Sequence, residues 1–149
     1  MNDFLQEWSP RAQGLLRIVI AYLFLTHGTA KPFGVPHVAM FDDVSLFSLV
    51  GIAGVLELIG GAMLLIGLFT RPVAFVLSGE MAVAYFIGHA SHGNALVPML
   101  NEGELAVIYC FVFLFFAAAG AGAWSVDAAR TREDRRPLLE RAGRQNLAR

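Results

Sequence analysis

VSLFSLVGIAGVLELIGGAMLLIGLFT, residues 44–70, decides how the chain is to be read. It carries one ionisable group, Glu57, and no Pro. A bilayer core about 30 Å thick takes about 20 helical residues, and this run is longer than that. Its apolar positions show no period-two alternation, so a helix is expected rather than a strand. Glu57, Gly60, Gly61, Leu64 and Gly67 fall on one stripe. Small residues in such a stripe let a neighbouring helix approach closely, which would enclose Glu57 between helices.

Three further apolar runs flank it: Leu15 to Ala30, Val73 to Ala90 and Leu105 to Trp124. The first needs Arg17 and Lys31 at its ends, reaching toward head groups on long aliphatic stems. The 149-residue chain is 56% hydrophobic and 15% charged, against about 25% charged in a soluble domain. The expected fold is therefore all-α: an integral membrane four-helix bundle with short loops. Residues 1–14 form an N-terminal segment, 15–127 the membrane domain and 128–149 an Arg-rich tail. Ser9 at the N-cap and Pro10 at the first helical position are expected to start the first helix. No small-residue cleavage site follows a charged start, so that helix is expected to be its own insertion signal.

The basic residues sort by side. Arg11, Arg17, Arg71 and the seven arginines from Arg130 to Arg149 fall on one side of an even-crossing topology, and Lys31 alone on the other. The positive-inside rule then places both termini in the cytoplasm. The opposite side collects Lys31, His37, Asp42, Asp43, His89, His92, Glu102 and Glu104. The tail is expected to touch anionic lipid and to bind no nucleic acid. His37, beside Pro36, is expected to be solvated.

Ionisable groups inside a membrane helix are functional candidates by default. Counting about 1.5 Å per residue from the cytoplasmic ends gives two polar layers. Arg17 is the lowest, with Tyr22 and Glu80 next, which suggests a structural Arg17–Glu80 ion pair. His27, Glu57, Tyr85 and Tyr109 gather near the midplane, with Lys31 and His89 above. His27 and Lys31 are four apart and share a face. Tyr85, His89 and His92 share another, while Glu80 points nearly opposite to His89, so two separate clusters are expected unless the helix bends. The upper layer offers donors and acceptors for a polar head group such as a quinone ring, or for a proton relay. Asn101 to Glu104, NEGE, is either a capping box for the fourth helix or part of that outer site. His89, His92, Glu102 and Glu104 have spacing open to a metal, but no metal is expected. Cys110, the single cysteine, excludes an internal disulfide or thiol pair and is expected to be a packing residue.

Arg17 in the first helix, HGTAK at its end, ELIGGAMLLIGLFTRPVA from Glu57 to Ala74, Glu80 and His89 in the third helix, the Asn101–Glu104 opening and the closing GAGAWSVD together resemble the DoxX family. The resemblance covers about Leu15 to Asp127. Arg17, His27, Lys31, Glu57, Arg71, Glu80, His89 and Glu104 match its polar positions. It implies a small bacterial inner-membrane protein, with some relatives serving as subunits of thiosulfate:quinone oxidoreductase and others linked to redox-stress complexes or quinone detoxification. Three functions stay open: an oxidoreductase subunit binding a quinone near His27 and Glu57 and working with a soluble or membrane partner, a non-enzymatic scaffold or assembly factor, and a small transporter or proton path, which would require a homo-oligomer. The sequence shows no haem-ligand pair, dinucleotide fingerprint or thiol pair for a stand-alone enzyme.

Overall fold

Apolar helix formers dominate the chain, and the computed structural model, which describes residues 2–134, is all-α among them. Helix α1 spans Asn2–Phe33, α2 Leu49–Ile66, α3 Thr70–Ala84 and α4 Glu104–Ala119. A π-helical turn, Tyr85–His89, and a 3-10 turn, Ala90–His92, prolong α3. A last helix starts at residue 126 and continues through 134. The rest of the Arg-rich tail, 135–149, lies outside the described residues.

Helix α1 begins earlier than expected. Ser9 and Pro10 sit inside it, because Leu5, Gln6 and Glu7 are good helix formers and the proline ring costs a single intrahelical bond. The Pro10 carbonyl is used from elsewhere, accepting the Ala123 N–H at 2.7 Å. Helix α2 starts on Ser48, whose side chain accepts the Gly51 N–H at 3.1 Å. It ends on Gly67 in the left-handed region at φ 68°. There the Gly67 and Leu68 N–H groups close onto Leu64 and Met63, a glycine stop.

α1 packs along α2 and α3 along α4, while α2 and α3 touch over a shorter stretch. The α1–α2 contact is backbone to backbone: a Cβ on Gly28 would strike the Leu58 amide, and one on Gly61 would lie 3.2 Å from the Leu25 Cα. This is the small-residue packing expected of the glycine stripe. Phe24 of α1 reaches across to α4, edge-on to Tyr109 and Phe113 at centroid distances of 5.1 and 4.8 Å. With Ala21, Leu64, Leu77, Met81 and Phe116 these form the core.

The outside is as apolar as the inside. Phe75 and Phe111 are about two-thirds exposed, and Ile59, Val76, Val83, Ile108 and Leu114 also face outward. Leu49–Ile66 and Thr70–His92 are long and apolar enough to cross a bilayer, with mean hydropathies of 2.3 and 1.4. Only 33% and 28% of those stretches is buried, which core helices of a soluble protein would not tolerate. Glu104–Ala119 is apolar but shorter, so the fourth apolar run ends as helix five residues before Trp124.

The end of the molecule where α1 begins is closed by polar clamps. Arg17, fully buried, donates to five carbonyls. Its Nε reaches Ala121 at 2.9 Å, one terminal nitrogen reaches Leu64 and Leu65 at 2.5 and 2.6 Å, and the other reaches Trp124 and Ala123 at 2.8 and 3.4 Å. Asp127 accepts the Phe69 and Thr70 N–H groups at 2.9 and 2.8 Å, and Arg71 donates to Ala118 at 2.7 Å. Two cations thus meet the C-terminal ends of α2 and α4, and an anion meets the N-terminal end of α3. Each sign complements the helix dipole it faces.

Candidate functional site

That clamp removes Arg17 from the expected ion pair. Its guanidinium is spent on carbonyls, and both carboxylate oxygens of Glu80 are enclosed without a hydrogen-bond partner among the described residues. The expectation of an Arg17–Glu80 pair is therefore corrected. Tyr22 is more than half exposed and takes no part in a buried cluster.

The upper layer does assemble. Lys31, in the last turn of α1, sets its ammonium 2.7 Å from Glu57 Oε1 on α2. Glu57 is 3% exposed, and its other oxygen, Oε2, has no partner among the described residues. The Lys31 ammonium also lies 5.6 Å from the Phe41 ring centroid, a cation–π contact. Around the pair is a cavity of about 400 Å³ lined by His27, Lys31, Glu57, His89, Glu102 and Tyr109, with Phe24, Met81 and Leu105 as apolar wall. Met40 and Phe41, in the 3-10 turn Ala39–Phe41, also line it. His27 meets Tyr109 edge-on at 6.2 Å.

His89 closes one side. Its Nδ1 lies 3.0 Å from the Asn101 carbonyl. A carbonyl only accepts, so Nδ1 carries the hydrogen of this contact. Tyr85 belongs to the wall's support rather than to the lining. Its ring stacks on His89 at 6.4 Å, and its hydroxyl donates to the Ala95 carbonyl at 2.7 Å.

Asn101 is not the N-cap of α4. Its Oδ1 accepts the Gly103 N–H at 3.0 Å, two residues on, and its amide nitrogen donates to Asn94 O and to Tyr85 Oη. Gly103 is the N-cap, and Glu104 opens the helix as an exposed acid in the first turn. The capping box fails because Asn101 is committed to the loop packed on Tyr85. His37 pairs with Asp42 at 2.9 Å on the surface, where such contacts contribute little. Among the described residues no three His, Cys, Asp or Glu side chains converge as metal ligands. Cys110 packs beside Ser78, whose hydroxyl donates to the Cys110 carbonyl at 2.8 Å.

The two expected polar clusters are also corrected. A second cavity of about 440 Å³ runs between α2 and α3, walled by Ile52, Leu56, Val76, Val83 and Ile87, and both Glu80 and His89 line it. They share it because the π turn Tyr85–His89 intervenes. Its wider turn rotates the later residues about the helix axis, the bend that straight-helix counting omitted. The chamber and the groove have Lys31, Val50, Ala84, Gly88 and His89 in common.

An all-α chain with an apolar exterior, two membrane-length helices and enclosed charges is a membrane protein. The profile of the DoxX family matches residues 12–90, which takes in Arg17, His27, Lys31, Glu57, Glu80 and His89. The chain belongs to the DoxX family. An uncharacterized protein of Haemophilus influenzae is 45% identical to it over 134 residues, covering 85% of this chain and 96% of that one. No solved structure matches it.

Proposed function

We propose that the protein spans a bacterial inner membrane with all four long helices and both termini in the cytoplasm, and that its chamber holds the ring of a membrane quinone as part of an oxidoreductase system. One observation carries this reading: the buried Lys31–Glu57 pair faces a cavity instead of being packed shut. A pair that served only packing has no need of about 400 Å³ beside it, a volume in the range of small-molecule sites. The residues suit an aromatic head. Lys31 supplies donors, His27 and His89 can hold or pass a proton, and Phe24, Met81 and Tyr109 supply a flat apolar wall. A bound quinone would supply the electron chemistry, and the protein's part is to orient the ring, exclude water and place titratable groups beside it. The positive-inside distribution supports the orientation.

The Lys31–Glu57 pair also ties α1 to α2, which supports the alternative of a scaffold whose charges set helix register. Mass spectrometry of the lipids that co-purify with the protein separates the two. The redox reading expects a stoichiometric quinone in wild type that is lost in Glu57→Gln and His27→Ala. A quinone-free wild type whose Glu57→Gln variant falls apart on gel filtration would favour the scaffold.

A further inference from the structure

At the end of the molecule where α1 begins, three cations are already engaged. Arg17 and Arg71 bind carbonyls, and Arg130 lies over the Phe69 ring at 5.4 Å. Arg11 and Arg132 are different. Both are exposed, and neither is in an ion pair among the described residues. They come from opposite ends of the chain, yet they line one concavity of about 620 Å³. Ile66, Trp124, Ser125 and Val126 are in its wall, and among the described residues no acid lines it.

Backbone bonds fix this concavity. The Ala123 N–H donates to Pro10 O at 2.7 Å, which holds the 121–124 turn beside Arg11. The Asp127 N–H donates to Gly67 O at 3.0 Å, which holds the start of the last helix against the end of α2. Ser125 Oγ accepts the Ala128 N–H and donates to Gly122 O, both at 3.1 Å, a local cap. The two arginines therefore stand on elements already joined.

Two guanidiniums with no acid beside them call for an anion, and a guanidinium meets phosphate oxygens with two parallel N–H groups. The neighbouring wall is apolar. Ile66 and Ile59, two turns apart on α2, are both about half exposed, so the wall continues the outward face of a membrane-length helix. Trp124, 63% exposed, stands in the same wall and is the residue type that marks a membrane–water interface. A soluble phosphate would use the arginines and leave this apolar face bare. The chain beyond residue 134 brings five arginines and one acid, Glu140, so its charge does not suit the site.

We infer that this concavity binds the head group of one anionic phospholipid, with the phosphate held by Arg11 and Arg132 and the acyl chains running along Ile66 and Ile59. The inference rests on the chain being a membrane protein and not on the quinone reading.

The test is competition between brominated-chain phosphatidylglycerol and phosphatidylcholine for the full chain in bilayers, read by fluorescence quenching. The chain has two tryptophans: Trp8, whose ring lies 5.2 Å from the Arg11 guanidinium, and Trp124 in the wall. Phosphatidylglycerol should bind about twentyfold more tightly than phosphatidylcholine, with about fivefold from each arginine. Arg11→Gln and Arg132→Gln should each remove about fivefold of that preference and together abolish it. Their melting temperatures should stay close to wild type, because both side chains are exposed. Arg11→Lys keeps the charge and should keep most of the preference. Arg130→Gln makes the same change in net charge outside the concavity and should leave the preference within about twofold. No preference in wild type, a preference that survives the double variant, or an equal loss in Arg130→Gln would overturn the site, the last by showing diffuse surface charge alone. Release of bound phosphatidylglycerol by excess inorganic phosphate would overturn the lipid assignment in favour of a soluble phosphate anion.

Discussion

Replacing Arg17 by Met keeps the aliphatic volume and removes every donor. Five carbonyls then lose their partner, four of them bonded at 2.9 Å or less. A hydrogen bond to a charged group contributes about 1.5–3 kcal/mol net. The losses do not add, since the freed turn at 121–124 can relax, and the cost of breaking a buried charged contact, about 3–5 kcal/mol, is the better guide. At about 2–4 °C per kcal/mol for a chain of this size, the melting temperature should fall by roughly 10 °C. Trp124, whose carbonyl accepts from Arg17, makes intrinsic fluorescence in a detergent melt a fitting readout. Arg17→Lys should recover less than half, because one ammonium cannot span the end of α2 and the 121–124 turn as a planar fork does. A melting temperature within 2–3 °C of wild type for Arg17→Met, equivalent to about 1 kcal/mol, would refute the clamp.

Lys31→Met should destabilise by about 3–5 kcal/mol by leaving Glu57 enclosed and uncompensated, and adding Glu57→Leu should restore about 2 kcal/mol or more; denaturation of the four proteins of that cycle checks it, and additive effects would contradict it. Asp127→Ala should cost about 1–2 kcal/mol through the two N–H groups of α3 that it caps, with hydrogen exchange rising first at Phe69 and Thr70. Gly28→Ala should cost about 2 kcal/mol or more, since the new methyl meets the backbone of α2. Thermal melts that leave Gly28→Ala at wild-type stability would show that the helices are not in backbone contact there.

The helices and the heart of the chamber were legible because their signals are local. Apolar runs mark α2 and α4, the four-residue spacing of His27 and Lys31 puts both on one face, and the glycines after Glu57 announce a close neighbour. The features that escaped depend on partners that residue type does not reveal. Arg17 looks like half of an ion pair, but it binds carbonyls, which every residue has. Asp127 reads only as the last residue of the closing GAGAWSVD stretch, but it caps a helix that begins 57 positions earlier. Glu80 and His89 line one groove because the π turn at Tyr85–His89 re-aims His89, a bend that uniform helical counting cannot foresee. Asn101 suggests a cap by its spacing to Glu104, and the structure spends it on Tyr85, Asn94 and Gly103. The Ser9–Pro10 start yielded to good helix formers on its N-terminal side.

The central claim is that a ligand sits among His27, Lys31, Glu57 and Tyr109 inside the helices. A photoreactive quinone analogue, cross-linked in nanodiscs and mapped by peptide mass spectrometry, addresses it directly. The account predicts labels within Phe24–Lys31, Met81–His89 and Leu105–Tyr109, competed away by unmodified quinone and lost in Glu57→Gln. Labels scattered over the outward residues Val19, Phe75 and Phe111, indifferent to competitor and to Glu57, would contradict it.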